Sequence, residues 1–262
     1  MKIVTITNEK GGVAKTTTSI QLASGLAMKG KKVLAIDLDS QKNLSNTFGL
    51  KPSMKVNTIF DLMEGEDIRK CIFKARKNLF VIFGDSRTRL DFQVKTKEDY
   101  NLLKQKLDEV KDLFDFVVID TPPKTERFNI LAMTTSDEII IPMEADTYSM
   151  QGLATTLEIV QKVRSETNPN LKIKGILLTR YKARTLFSRM TKGDLQKVAN
   201  QMQFPVFETT IRESIEIKKS QGQLKSIFEY NPKSRVAMDY KSFIQEYLTG
   251  KPIQPEDTEE EL

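Results

Sequence analysis

Between a short β-rich run and an apolar helical stripe lies Asn8-Glu9-Lys10-Gly11-Gly12-Val13-Ala14-Lys15-Thr16-Thr17. Paired glycines let backbone N–H groups turn inward around an anion with no Cβ in the way. Lys15 adds a point charge suited to β/γ-phosphates, Thr16 a hydroxyl suited to Mg²⁺, and the helix N-terminus completes an anion site. Such a loop needs a strand to deliver it and a helix to receive it, so it restricts the chain to α/β architectures. Two stricter patterns fail. Glu9 and Ala14 occupy both glycine positions of GxxxxGK[ST], and GxGxxG is absent, which disfavours a dinucleotide fold.

The rest of the chain agrees. Lys2–Thr7 reads as a strand, and Thr16–Met28 as a helix with Ile20, Leu22, Ala23, Leu26 and Ala27 on one stripe. Gly30 ends it, and Val33–Ile36 is a buried strand running into Asp37-Leu38-Asp39. A short helix is expected from Thr58 to Met63, a strand over Leu79–Phe83, and a charged amphipathic helix over Thr96–Leu113. The last should turn Leu102, Leu103, Leu107, Val110 and Leu113 inward. Phe116–Ile119 and Glu138–Ile141 are continuous apolar runs, the mark of parallel strands covered on both faces. Thr147–Val163 reads as a helix and Lys172–Leu178 as a further strand. This alternation predicts an α/β, doubly wound, mostly parallel sheet with helices on both faces, its ligands at the carboxyl ends of the strands. Residues 1–250 are expected to form one domain, and 251–262 an acidic, disordered tail.

The loop resembles KGGxxK[ST]T, the deviant Walker A sequence of the ParA/MinD superfamily of P-loop ATPases, with Lys10 as its signature lysine. Two acidic motifs are similar as well. Ala35-Ile36-Asp37-Leu38-Asp39-Ser40-Gln41 resembles the family's DxDPQ element, with Ser40 in place of proline. Phe116-Val117-Val118-Ile119-Asp120-Thr121-Pro122-Pro123 resembles its Walker B strand.

The resemblance implies ATP and Mg²⁺ as cofactors. It makes Gly11, Gly12, Val13, Ala14, Lys15, Thr16 and Thr17 the phosphate cradle, with Thr17 nearest the α-phosphate. Thr16 then holds Mg²⁺ directly, and Asp120 and Asp39 hold it through water. Asp39 orients or activates the attacking water; Asp37 either supports that network or fixes the turn. Lys10 reaches across an ATP-dependent homodimer to the partner's phosphates, a cation acting in trans. Thr179, Arg180 and Pro205 are the expected adenine contacts.

Composition narrows the choice within that superfamily. The chain has one cysteine, Cys71, and no histidine, which excludes an internal disulfide, a thiolate-held cluster within one chain, and Ser-His-Asp or Cys-His chemistry. No run of 18 apolar residues suggests a membrane span, and the acidic, proline-broken end is unlike a basic membrane helix. The net +6 hides an uneven distribution: Arg180 to Lys241 holds 13 Lys/Arg against 6 Asp/Glu, while the last twelve residues hold one Lys and five acids. The segment Thr210-Ile211-Arg212-Glu213-Ser214 through Ser226 to Arg235 resembles the closing segment of the ParA group. By that resemblance Arg235 is the leading candidate to bind double-stranded DNA without sequence preference, followed by Arg212, Lys218, Lys219, Lys225 and Lys233. The expected protein is therefore a short partition ATPase without an N-terminal helix-turn-helix. It would be cytoplasmic and nucleoid-associated, and stimulated by a centromere-binding adaptor. The alternative is a related scaffold that positions a non-DNA cargo.

Overall fold

A computed structural model describes residues 1–87, 99–123, 126–146 and 149–253. Seven strands form one sheet: β1 Lys2–Ile6, β2 Val33–Asp37, β3 Phe73–Arg76, β4 Leu79–Ile82, β5 Phe116–Asp120, β6 Glu138–Glu144 and β7 Lys172–Thr179. Their spatial order is β3-β4-β2-β5-β1-β6-β7. Every pairing is parallel except the edge pair β3–β4, a tight hairpin that the sequence reading missed. Its strand β3 is short, half-exposed and charged at Lys74 and Arg76, so it lacks the apolar run that marks the central strands.

The long helices are α1 Lys15–Met28, α6 Glu126–Thr135, α7 Ser149–Glu166, α8 Leu186–Met202 and α11 Arg235–Thr249. Shorter ones are α2 Asn43–Thr47, α3 Ile59–Met63, α4 Ile68–Cys71, α5 Leu102–Asp108, α9 Ile215–Gly222 and α10 Ile227–Tyr230. Alternate strand residues face opposite layers, which is why these strands read as unbroken apolar runs. Val4, Ile6, Ala35, Val81 and Val118 pack under α1 and α11; Ile3, Leu34, Ile36, Val117 and Ile119 pack against α3–α6. Ile139, Ile141, Ile176 and Leu178 meet α7 and α8. Among the described residues no helix is long and apolar enough to cross a membrane.

The expected Thr96–Leu113 helix is corrected. Residues 96–98 lie outside the described residues, a 3₁₀ turn covers Asp99–Asn101, and α5 stops at Asp108. Beyond that end the helical period no longer holds: Val110 is buried, but Leu113 points outward, 50% exposed. The start of the expected Thr147–Val163 helix, and residues 254–262 of the expected acidic tail, also lie outside the described residues.

Helix α1 can approach α11 closely because Gly25 has no side chain. A Cβ there would lie 2.1 Å from Ile244 Cδ1 and 3.3 Å from Phe228 Cε2, both on buried residues. Gly25→Leu is therefore expected to lower the free energy of unfolding by about 2–3 kcal/mol through overpacking, read from the urea midpoint.

Candidate active site

Strand register builds the site. Asp37 pairs with Asp120 across β2–β5, and Ile6 pairs with Asp120 across β1–β5, so the carboxyl ends of three central strands finish level. The glycine-rich loop springs from the same edge. Gly12 takes φ +83° and Ala14, the residue before α1, takes φ +65°, both in the left-handed region. Ala14 thus adopts the conformation for which the stricter phosphate-loop pattern uses glycine. Asn8 braces the base of the loop, donating from Nδ2 to the Pro142 carbonyl (2.8 Å) and accepting from the Lys10 N–H (2.9 Å).

Lys15 is buried and folds back over the loop, its Nζ donating to the Lys10 carbonyl at 2.8 Å. Burial lowers its pKa, against the opposing pull of Asp120, Glu9 and Asp39. Asp120 is fully buried. Ser19 Oγ donates to its Oδ1 at 2.8 Å, whereas its Oδ2 has no hydrogen-bond partner among the described residues. Burial first, then the neighbouring Asp37 charge, push the Asp120 carboxyl well above the usual carboxylate range, against hydrogen bonds from Ser19 and Thr16.

Asp37 proves to be the turn former. It accepts from the Asp39 N–H (3.0 Å), the Ser45 N–H (2.9 Å) and Ser45 Oγ (2.6 Å), so three donors occupy its two oxygens. Gly84 closes this corner: its N–H donates to Ser45 Oγ, and a Cβ would lie 3.0 Å from Asp37 Cγ and from the Asp39 carbonyl. Asp39 itself spends Oδ1 on the Gln41 N–H (2.9 Å), and among the described residues nothing donates to its Oδ2. It remains 8% exposed, the one carboxylate of the three still open at the surface.

Lys10 makes contacts that its motif does not announce. Its Nζ meets Asp146 Oδ2 at 2.5 Å and Ser149 Oγ at 3.1 Å, within its own chain. Burial would raise the Asp146 pKa, but hydrogen bonds from Lys10 and Ser149 and the Lys10 charge hold it below the ordinary value.

A second opening lies beside the loop, lined by Ala14, Thr17, Thr179, Arg180, Ile211 and Tyr240 among others. Thr179 Oγ1 donates to the Val13 carbonyl (3.1 Å), tying β7 to the phosphate loop, and Arg180 pairs with Glu144 at 2.9 Å. Thr179 and Arg180, two of the expected adenine contacts, thus line this opening. Pro205 does not. Its carbonyl accepts from the Ile176 N–H, three residues short of the carboxyl end of β7, and it lines no part of this opening. Ile211, Ser214, Ile217, Gln221 and Tyr240 line it as well; they come from loops and helices whose meeting no local motif announces.

The six candidate basic residues are all exposed but do not form one class. Arg212 forms a bidentate pair with Asp239 (2.6 and 2.7 Å) and lines the second opening, which removes it from the free basic surface. Lys219 pairs with Glu216 at 2.9 Å. Arg235, Lys218, Lys225 and Lys233 have no carboxylate within 4.0 Å among the described residues.

A parallel sheet whose first strand runs through a glycine-rich, lysine-bearing loop into a helix, with an acidic residue ending the neighbouring strand, defines the P-loop ATPase class. The family profile described as an AAA domain matches residues 1–173. The chain is 33% identical over 252 residues to the sporulation initiation inhibitor protein Soj of Bacillus subtilis, covering 94% of this chain and 97% of that protein. The chromosome-partitioning ATPase Soj of Treponema pallidum is 30% identical over 251 residues, with 94% and 97% covered. The ATP complex of a Cyanothece McdA variant superposes with a TM-score of 0.84 at 26% identity, covering 97% of this chain and 98% of that one. The chain belongs to the ParA family of partition ATPases.

Proposed function

We propose that the chain binds and slowly hydrolyses ATP with Mg²⁺, closes on a second copy of itself over the nucleotide, and in that state binds double-stranded DNA through phosphates. A centromere-binding adaptor would stimulate hydrolysis and release. The observation that carries this reading is the meeting of Lys15, Asp39 and Asp120 at the ends of β1, β2 and β5 beside the glycine turn.

The residues present fit the nucleotide and its metal. The unpartnered, buried Asp120 Oδ2 is the acceptor that a metal-bound water would satisfy. Among the described residues no cage of three or more His, Cys, Asp or Glu side chains forms, in keeping with a hard cation shared between one hydroxyl, waters and phosphates. Bound there, Mg²⁺ would neutralise charge on the β/γ-phosphate oxygens. The chain's own part is positioning. Lys15 exchanges its bond to the Lys10 carbonyl for phosphate oxygens, the loop N–H groups hold the same oxygens, and Asp39 orients the attacking water. Removing Lys15 as Lys15→Gln should abolish ATP binding and, with it, any ATP-dependent shift of DNA. A shift that survives would refute the coupling of DNA binding to nucleotide.

In the single chain Lys10 is engaged by Asp146, with both side chains about a third exposed. Such a pair is worth only about 0.2–1 kcal/mol, so a partner's phosphates would displace it easily. Asp146→Asn removes one such pair from each chain, so it is expected to strengthen ATP-dependent dimerisation by about 2- to 30-fold, measured by analytical ultracentrifugation. Weaker dimerisation would show that Asp146 supports the closed state instead.

A further inference from the structure

Gln221 is the penultimate residue of α9, far in sequence from the phosphate loop, yet its Nε2 donates to Thr17 Oγ1 at 2.9 Å. It also stands at both openings of the site. One is the second opening described above; the other is a cavity of 250 Å³ bordered by Thr16, Asn43, Asn46 and Leu224. Thr17 is buried and sits in the first turn of α1.

A hydroxyl has one proton to give and two lone pairs. With the Gln221 amide donating to one lone pair, the Thr17 proton is not spent on Gln221 and is left to point elsewhere. We infer that Gln221 is a positioning residue for the nucleotide: it turns the Thr17 hydroxyl so that its proton faces the α-phosphate, and it ties the phosphate loop to α9. This rests on the reading of the loop as an ATP site. Helix α9 carries exposed Lys218 and Lys219 and leads to Lys225, so the same hydrogen bond joins nucleotide occupancy to the placement of a basic surface. No other described side-chain hydrogen bond links α9 to the loop; the neighbouring Gln21 contact reaches Ile227, in α10.

The test is a double-mutant cycle with the non-hydrolysable analogue AMPPNP as probe, read by calorimetric titration of the full chain. Gln221→Leu should weaken binding about 2- to 12-fold, the range for one hydrogen bond. Thr17→Val should weaken it by at least as much. Gln221→Leu in the Thr17→Val background should then cost nothing further. Gln221→Glu keeps the size of the side chain but only accepts, so it should capture the Thr17 proton and bind no better than Gln221→Leu.

Two readouts separate positioning from mere packing. The nucleotide-free thermal midpoint of Gln221→Leu should fall only by the roughly 1–6 °C that one lost hydrogen bond costs, leaving the chain folded at the temperature of the titration. Hydrogen exchange across 215–222 should slow on adding AMPPNP to the parent chain but not to Gln221→Leu. Additive losses in the cycle, or an unchanged affinity in Gln221→Leu, would overturn the role of Gln221. If Thr17→Val leaves affinity unchanged, the assignment of the loop itself is overturned, and the Gln221 inference falls with it.

Discussion

Asp39→Ala is expected to slow ATP turnover by about 10²–10⁴-fold, the range for losing a positioned general base. ATP-dependent dimerisation should survive the change. The local geometry allows this separation. Asp37, not Asp39, holds the turn after β2, accepting from the Ser45 N–H, Ser45 Oγ and the Asp39 N–H. The last of these is a backbone donor, so alanine at 39 leaves all three in place. Among the described residues the Asp39 side chain contributes only its bond from Gln41 to the loop, and losing it should cost little stability.

Asp37→Ala should behave in the opposite way. It strips the Ser45 N–H and hydroxyl of their acceptor in a buried corner beside Gly84, so the thermal midpoint should fall along with activity. Turnover with single-turnover kinetics, dimerisation by ultracentrifugation and thermal unfolding distinguish the two outcomes. Unchanged hydrolysis in Asp39→Ala would mean that another carboxylate orients the water. Asp120 would be the next to test, since its Oδ2 is the remaining unpaired acceptor.

The division of labour between Asp37 and Asp39 also marks where reading the sequence stops. Consecutive residues carry consecutive tasks in the phosphate loop, so Gly11, Gly12, Lys15 and Thr16 were recognisable from their order, as was Asp120 at the end of an apolar strand. The task of Asp37 stayed open beside Asp39 because what settles it comes from Ser45 and Gly84, on other elements. Asp146 and Gln221 were invisible for the same reason. Each lies more than 130 positions from the loop residue it touches, and neither belongs to a pattern with its partner. Pro205 lies apart from Thr179 and Arg180 because the chain after α8 re-enters beside the middle of β7 rather than its carboxyl end. The strands were legible because burial on both faces leaves a one-dimensional trace, whereas the half-exposed β3 leaves almost none.

Salt should reveal the second large effect. Raising monovalent salt from 50 to 200 mM is expected to weaken ATP-dependent DNA binding by about 10³–10⁴-fold, given roughly 6–8 phosphate contacts per dimer. The estimate follows from which cations are free to make those contacts. Arg235, Lys218, Lys225 and Lys233 are exposed with no carboxylate within 4.0 Å, four per chain among the described candidates, so a dimer offers about the required number. Arg212 and Lys219 already hold Asp239 and Glu216, and giving up those partners would offset part of any gain from a phosphate. The burial of Asp239 makes the first exchange the costlier: its side chain is 11% exposed, and the Arg212 guanidinium meets it with two bonds beside a third from the Arg212 backbone N–H. Arg235→Ala should therefore reduce the slope of log affinity against log salt by about two, one contact from each chain, and weaken binding alike on any duplex. Lys219→Ala should leave the slope nearly unchanged. Arg212→Ala should leave it unchanged too, but lower stability by leaving the Asp239 charge with only the residue 212 backbone N–H. Fluorescence anisotropy across a salt series measures all three. A shift indifferent to salt would rule out phosphate binding as its source. A protein that dimerises with ATP but never binds DNA would point to the alternative, a scaffold for another cargo.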